Sequence, residues 1–325
     1  MTRDFAEDGF FAKKVCNKMS TSLRACLRIW MCRAIGEPQR KNAISSRHQI
    51  EAYPANSRGS LKLQVEHLQQ FMNMGVDGIV LYSGSFLHDE TVNTILSQHI
   101  PLVMIDRYYP AITTNVVTTN HYLSGYSVTE HLLRQGHHHM GFILATTEMV
   151  TSTLARFEGY KGALRDYGVE FDERLLMKAQ IHEETVQAYL KRAGLLTAVF
   201  ACNDERALEF YAALRSLGLR VPTDLALVGC DDIPVVSQLD PPLTTVAQNV
   251  YQLGESTAHL LTETIEGRIS SFCTITIQPE LVIRQSSRPL PEQDTQATLE
   301  RKHCNTTSLS DEQCQTKQKK QCYGT

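Results

Sequence analysis

The feature that most constrains the fold is a repeated alternation of helical and strand-like patterns between residues 57 and 288. Most helical patterns end at a glycine, and a short apolar run of the kind found in buried parallel strands usually follows. Strands that alternate with helices favour parallel sheets with helices on both faces. The pattern predicts helices over 61–74, 89–98, 123–135, 154–167, 183–192 and 204–217, and strands over 77–82, 101–105, 140–145, 197–201 and 225–229.

Length and composition exclude several classes of protein. The chain has 325 residues, of which 42% are hydrophobic and 21% are charged, and this indicates a globular protein of about two domains. It contains no run of about 20 apolar residues that could cross a bilayer. The N-terminus carries acidic residues where a signal peptide needs a positive flank. We therefore expect a cytoplasmic protein without membrane contact.

The two terminal segments differ from the middle of the chain. Residues 1–56 carry a net charge of +5, whereas the whole chain carries −3, and they form a basic segment that we leave unassigned. This segment has a helix-like stretch at 10–32 but no clear strand and no clear helix-turn-helix. Residues 289–325 are rich in Gln, Lys, Thr and Ser, and this composition predicts a disordered tail.

Polar residues that follow the predicted strands form the candidate site, because ligands of parallel α/β folds bind outside the carboxyl ends of the strands. Carboxylates, an amide and a guanidinium suit a neutral or weakly charged ligand with several hydroxyl groups. The residues singled out are Asp106, Ser152, Arg156, Asn203 and Asp231. A structural role stays open, in which Asp204 caps its helix and Asp106 pairs with Arg107.

The same stretches offer little that catalysis would need. They contain no evident nucleophile with an adjacent base and no phosphate-binding glycine loop. The neighbouring carboxylates of Asp231 and Asp232 diverge, which disfavours an acid–base pair. Consecutive histidines at 137–139 cannot all face one ion from a strand, so a polar turn is favoured over a metal site. The sequence predicts a binding protein with no catalytic residue, no metal and no cofactor.

Eight stretches of the middle region follow one another in the order of a known family. They are VDGIVL (76–81), PLVMIDR (101–107), HLLRQGHHHMGFI (131–143), ARFEGYKGAL (155–164), AVFACNDERAL (198–208), GLRVPTDLALVGCDDIP (218–234), PPLTTVAQ (241–248) and LVIRQSS (281–287). Together they resemble the effector-binding core of the LacI/GalR transcriptional regulators, which shares its fold with periplasmic sugar-binding proteins.

The resemblance implies a core over 57–288 built from two similar subdomains. Each is expected to contain a parallel sheet flanked by helices, with a ligand cleft between the two. The first subdomain would comprise about 57–144 and 249–276, and the second about 146–247 and 277–288. The chain would then cross between the subdomains three times.

The resemblance also implies a function. A member of this family is a transcriptional regulator, usually a repressor, whose core binds a sugar or related small metabolite and thereby changes its affinity for DNA. All five candidate residues fall where the family places sugar-contacting groups. The implied partners are a small-molecule effector, operator DNA through a headpiece, and a second copy in a homodimer. The alternative is a stand-alone cytoplasmic sugar-binding protein without DNA binding.

Two features depart from the family pattern. No helix-turn-helix is legible ahead of the core, so the DNA-binding residues stay unknown. Asn120 and His121 stand where the family commonly has Asp-Asn, which alters one possible effector contact.

Overall fold

The computed structural model describes residues 28–35, 49–57, 60–82, 89–109, 112–144 and 150–288. Its helices are α1 (Leu61–Asn73), α2 (Asp89–Ser97), α3 (His121–Arg134), α4 (Thr151–Asp166), α5 (Glu183–Ala193), α6 (Asp204–Ser216) and α7 (Val250–Ile265). Its strands are β1 (Arg28–Ile35), β2 (Gln49–Asn56), β3 (Gly78–Leu81), β4 (Leu102–Ile105), β5 (Asn115–Thr119), β6 (Met140–Ile143), β7 (Leu176–Met177), β8 (Ala198–Ala201), β9 (Ala226–Val228), β10 (Thr245–Ala247), β11 (Thr274–Ile277) and β12 (Glu280–Val282).

The helices predicted from periodicity are all present, with ends that differ by at most three residues. Four of them end at a glycine in the left-handed conformation, as the sequence predicts. These are Gly75, Gly136, Gly168 and Gly218, with φ values of +63°, +88°, +70° and +75°. A glycine adopts such angles without the steric penalty of a side chain, so each one stops its helix and turns the chain toward the next element.

The first sheet has the strand order β11-β5-β4-β3-β1-β2. Strands β3, β4, β5 and β11 are parallel, as expected. Strand β1 instead runs antiparallel to both β3 and β2, so the sheet is mixed. The two outer strands, β1 and β2, pair with each other along their whole length.

Strands β1 and β2 lie in the basic segment 1–56, for which the sequence predicts no clear strand, and that prediction is wrong for 28–35 and 49–56. Strand β1 also overlaps the end of the helix-like stretch 10–32, so that prediction is wrong for residues 28–32. Residues 10–27 lie outside the described residues. Pairing along the length of β3 overrides the local helical periodicity, because backbone hydrogen bonds to a neighbouring strand outweigh a weak propensity.

The second sheet is parallel throughout and has the order β7-β6-β8-β9. This order corrects the predicted division, which placed residues 57–144 in the first subdomain. Strand β6 pairs with β7 and β8, and α3 packs against α4, so the chain enters the second unit after β5. Helix α3 and strand β6 have the same helix-glycine-strand pattern as the units of the first sheet, and only their pairing assigns them.

Each sheet has a hydrophobic core on both of its faces. In the first sheet, alternate residues of each strand enter different clusters: Val80 and Val103 pack on the face covered by α7, and Ile79 and Leu102 pack on the other. The second sheet divides in the same way into two clusters. This two-sided burial explains why the strands read as continuous apolar runs.

The chain passes between the two sheets three times: between β5 and α3, between β10 and α7, and between β11 and β12. The three crossings are joined by hydrogen bonds. Thr119 Oγ1 lies 3.0 Å from Gln248 Oε1, and the backbone amide of Asn120 donates to the carbonyl of Ile277 at 2.8 Å. Strands β10 and β12 pair antiparallel beside the crossings. The crossings therefore form one hydrogen-bonded hinge.

Candidate functional site

Arg156 is the charged group at the centre of the candidate site. It lies one turn after Ser152 on α4, and both residues are buried. Its Nη1 donates a hydrogen bond to the carbonyl oxygen of Cys202 at 2.6 Å, and its Nη2 donates to Oδ1 of Asp231 at 3.0 Å. These bonds tie α4 to the chain just beyond β8 and β9, at the carboxyl edge of the second sheet.

The guanidinium of Arg156 keeps its charge although it is buried. Burial alone lowers its pKa, but Cys230, Asp231 and Asp106 raise that pKa, and the net result lies well above the ordinary value. The group is therefore positively charged at any physiological pH. A fixed cation at this edge favours ligands that carry acceptor oxygens.

Asp106 approaches the same place from the first sheet, directly after β4. Its φ of +64° is a left-handed conformation that Asp adopts more readily than most residues. Its Oδ1 lies 2.8 Å from Nε2 of His121, the first residue of α3, and both side chains are buried. Burial opposes ionisation, but His121, Arg107 and Arg156 lower the pKa of Asp106 to about 2. An ionised carboxylate of the first sheet thus lies within electrostatic range of Arg156.

One further contact joins the two units beside Asp106. The backbone amide of Tyr108 donates to Oγ1 of Thr151 at 3.3 Å, which connects the loop after β4 to the start of α4. Within the first unit, the guanidinium of Arg107 lies over the ring of Tyr82 at 5.2 Å from the ring centroid. The candidate site therefore lies between the units, with residues of both around it, and we call it the cleft.

The two neighbouring carboxylates after β9 diverge, as the sequence analysis expects. Asp231 accepts hydrogen bonds from Arg156 and from Nε2 of Gln248, the latter at 2.6 Å. Asp232 accepts from Nη2 of Arg284 at 2.7 Å instead. Both residues have positive φ, +126° and +50°, and this costly backbone directs one carboxylate toward the cleft and the other away from Arg156.

Asn203 caps the helix α6, although the sequence also allows Asp204 in this role. Asn203 is the N-cap of α6, and its Oδ1 accepts from the backbone amide of Arg206 at 3.1 Å. Asp204 is buried and accepts from Thr245 Oγ1 at 2.6 Å and from the amide of Ile233 at 2.9 Å. Capping by Asp204 is therefore wrong by one residue, and Asp204 joins β10 to α6.

Sequence reasoning missed the role of Gln248. It is the last residue of the stretch PPLTTVAQ, which carries the family resemblance but no obvious ligand-binding signal. In the structure Gln248 contacts both Thr119 of the first crossing and the carboxylate of Asp231. Its side chain therefore links the hinge directly to the cleft.

The five predicted site residues differ in how directly they take part in the charged group around Arg156. Asp106, Arg156 and Asp231 form one charged group, Asn203 directly follows the carbonyl that Arg156 binds, and Ser152 lies one turn from Arg156. The proposed ion pair of Asp106 is made with His121. His121 was noticed in the sequence only as a departure from the family pattern.

The histidine cluster at 137–139 lies in the turn between α3 and β6. His137 and His139 each use Nε2 to contact a backbone carbonyl, of Arg288 at 2.9 Å and of Ala193 at 3.0 Å. Over the described ranges, no group of three or more His, Cys, Asp or Glu residues is arranged to hold a metal ion.

No helix among the described residues is long and apolar enough to cross a membrane.

Two α/β units, joined by three crossings around a charged cleft, define a protein of the periplasmic-binding-protein class. A family model described as a periplasmic binding protein-like domain matches residues 129–287. The match covers the second unit from the middle of α3 onward, together with the later two crossings. Arg156, Asn203, Asp231 and Gln248 lie within it.

Relatives give the family. The chain is 29% identical to the ribose operon repressor of Haemophilus influenzae over 244 residues, which cover 74% of this chain and 73% of that protein. It is 30% identical to the HTH-type transcriptional regulator DegA of Bacillus subtilis, over 70% of this chain and 69% of that protein. The solved structure of the transcriptional regulator CelR in complex with cellobiose is similar, with a TM-score of 0.64, 28% identity and 71% coverage of each chain. The chain belongs to the LacI/GalR family of transcriptional regulators.

Proposed function

We propose that this regulator is a repressor whose cleft binds a sugar or a related neutral metabolite rich in hydroxyl groups. The cleft contains the guanidinium of Arg156 as a donor, the carboxylates of Asp106 and Asp231 as acceptors, and the imidazole of His121, a ring that can donate and accept. Its formal charges nearly balance, because Arg107 and Arg156 offset Asp106 and Asp231. A cleft with both donors and acceptors and little net charge suits hydroxyl groups, which donate and accept at once.

The observation that carries the proposal is a pair of buried polar atoms without a hydrogen-bond partner. Nε of Arg156 and Nδ1 of His121 are buried and have no hydrogen-bond partner among the described residues. Most buried polar atoms in folded proteins are hydrogen-bonded, so two such atoms beside one cleft need a partner. Hydroxyl groups of a bound ligand, which both donate and accept, would supply it. The names of two relatives, which refer to ribose and cellobiose, support the same class of ligand.

Effector binding would act on DNA through the hinge. A ligand held by Asp106 of the first unit and by Arg156 and Asp231 of the second favours one relative arrangement of the units over another. Operator binding, a homodimer and action in the cytoplasm are proposed from family membership. A stand-alone sugar-binding protein is the alternative, and the two differ in whether effector changes the binding of duplex DNA.

The site is tested by thermal unfolding with a panel of sugars and nucleobases. Asp231→Asn keeps the shape of the side chain and removes its charge, so it should weaken the binding of an active ligand by about tenfold or more. Asp232→Asn is the matched control, because its carboxylate contacts Arg284 rather than Arg156. Arg156→Ala is less suitable, since it would remove the cation beside Asp231 from a buried position.

Two results would contradict the proposal. One is an equal ligand-induced rise in melting temperature in the wild type and in Asp231→Asn. The other is a panel in which no hydroxyl-rich ligand raises the melting temperature of the wild type. Selection from a pool of duplex DNA, with and without the active ligand and at two salt concentrations, then separates a regulator from a stand-alone binding protein.

A further inference from the structure

Two cysteines lie side by side at the edge of the candidate site. Cys202 follows β8 and Cys230 follows β9, each two residues beyond the aligned pair Phe200 and Val228. Both are free thiols, with exposed fractions of 6% and 0%, and both pack in the same core cluster. The two cysteines therefore lie just beyond neighbouring strands and in one core cluster of the second sheet. The Cys202 thiol lies 3.6 Å from the carbonyl oxygen of Leu144, so a bond to Cys230 requires it to turn away from this contact.

The usual spacing of neighbouring strands is compatible with a disulfide. Neighbouring strands lie roughly 4.8 Å apart, and disulfides join residues whose Cα atoms are roughly 4.4–6.8 Å apart. Side chains at one register of parallel strands point the same way, so a bond between them would be strained. Strained disulfides are the ones that are easily reduced, as a reversible modification requires.

The surroundings of the thiols control their reactivity. Burial raises the pKa of Cys202 to about 11 and also raises that of Cys230, whereas the guanidinium of Arg156 lowers both. The thiolate is the reactive form, so both groups stay protonated and unreactive toward oxidants while they are buried away from water. Opening of the cleft would hydrate them and leave the effect of Arg156, which favours the thiolate.

We propose that Cys202 and Cys230 are a redox modification site that a hydroperoxide converts to an intramolecular disulfide. The first thiolate attacks the peroxide oxygen, which gives a sulfenic acid and releases water when the oxidant is hydrogen peroxide. The second thiol attacks the sulfenic sulfur, the S–S bond forms, and a second water leaves. Two thiols are oxidised and one peroxide is reduced in each cycle.

The bond would alter the cleft because each cysteine directly precedes a predicted effector contact. Asn203 follows Cys202, and Asp231 follows Cys230. The carbonyl of Cys202 also accepts the hydrogen bond from Nη1 of Arg156. Drawing the two strand ends together would displace all of these groups, so the oxidised protein should bind effector more weakly. This consequence rests on the proposed function, whereas the disulfide itself does not.

The test uses the full chain, treated with hydrogen peroxide, alkylated with N-ethylmaleimide under denaturing conditions and digested with trypsin. The expected product is a crosslinked peptide joining 193–206 to 221–268, which disappears on treatment with dithiothreitol. The chain has nine cysteines, so Cys273→Ala is the matched control and should still form the crosslink. Cys230→Ala should not form it.

Recovery of the two peptides singly, whether alkylated or oxidised to sulfinic acid, would overturn the proposed site. The effect on the cleft is measured separately, as the melting shift produced by an active ligand before oxidation, after oxidation and after reduction. A loss of shift that dithiothreitol restores is expected. A crosslink with an unchanged shift would overturn the link to effector binding, and a crosslink in a protein that binds no panel ligand would count against the proposed function alone.

Discussion

Two buried carboxylates beside the cleft have pKa values that are shifted in opposite directions. Asp106 has cations around it, and its pKa falls to about 2 although burial opposes this. Asp204 has two carboxylates nearby instead, and burial together with Asp231 and Asp232 raises its pKa to about 7 against the effect of two hydrogen bonds. The same side chain is thus ionised at one place and titrates near neutrality at the other, because the neighbouring charges differ.

The raised pKa of Asp204 predicts how stability changes with pH. The unfolded chain has a pKa near 3.8 at this residue, so between pH values of about 4 and 7 the folded protein holds a proton that the unfolded chain has lost. The contribution of Asp204 to the free energy of unfolding should therefore fall as pH rises through this range. Asp204→Asn should flatten the fall, as measured by urea unfolding at several pH values.

A suitable control for that prediction is Asp224→Asn. Asp224 pairs with Arg220 on the surface, and the hydrogen bonds from Arg220 lower its pKa, so its titration lies below the relevant range. The control should keep the pH profile of the wild type. An Asp204→Asn profile that also follows the wild type between pH values of about 4 and 7 would count against the raised pKa.

Helices α3 and α4 pack closely because two glycines let their backbones approach. A Cβ at Gly125 would overlap the carbonyl oxygen of Arg156, and a Cβ at Gly159 would overlap that of Tyr122. This contact is the reason that α3 belongs with the second sheet. It also holds the helix that carries Arg156 in place. The glycines are visible in the sequence, but nothing in their spacing indicates which helix they face.

The close contact predicts that Gly159→Ala destabilises the protein. The added methyl group meets backbone atoms of Tyr122 and Tyr126, which cannot move aside, so the free energy of unfolding should fall by about 1–3 kcal/mol. Gly162→Ala on the same helix is the control. Its methyl group meets the hydroxyl end of the Tyr122 side chain, which is 43% exposed and can rotate away. Equal loss of stability in both variants, measured by urea unfolding, would contradict the backbone contact.

At the scale of the whole molecule, the side chain of Gln248 contacts both the hinge and the cleft. Its Oε1 accepts a hydrogen bond from Thr119 Oγ1 of the first crossing at 3.0 Å. Its Nε2 donates to the carboxylate of Asp231 in the cleft. A ligand that forms a hydrogen bond with the carboxylate of Asp231 would change the contact between Asp231 and Gln248. The change in the cleft would then reach the first crossing without any intermediate residue.

Gln248→Ala should therefore weaken both ligand binding and its effect on shape. The hydrogen bond from Gln248 holds the carboxylate of Asp231 in place. Its loss leaves this acceptor free to move, so the affinity for ligand should fall. The affinity is measured by calorimetry, and the change in shape is measured by small-angle X-ray scattering with and without ligand. Gln252→Ala is the control, because Gln252 lies on the exposed start of α7 and bonds only locally to Asn249. If Gln248→Ala has the ligand affinity of the wild type and the same ligand-induced change in shape, the proposed coupling is wrong.

Local sequence patterns are enough to locate most helices and the central strands of both sheets. Helical periodicity, glycine stops and apolar runs located α1 to α6 and the strands β3, β4, β6, β8 and β9, since these signals lie within one element. Family motifs and strand ends together selected Asp106, Arg156 and Asp231. Tertiary structure alone decided what depends on partners distant in the chain: the pairing of β6, the antiparallel hairpin of β1 and β2, and short strands such as β7 and β10. The roles of His121 and Gln248 belong with these, because a side chain acquires them only when folding brings its partners within hydrogen-bond distance.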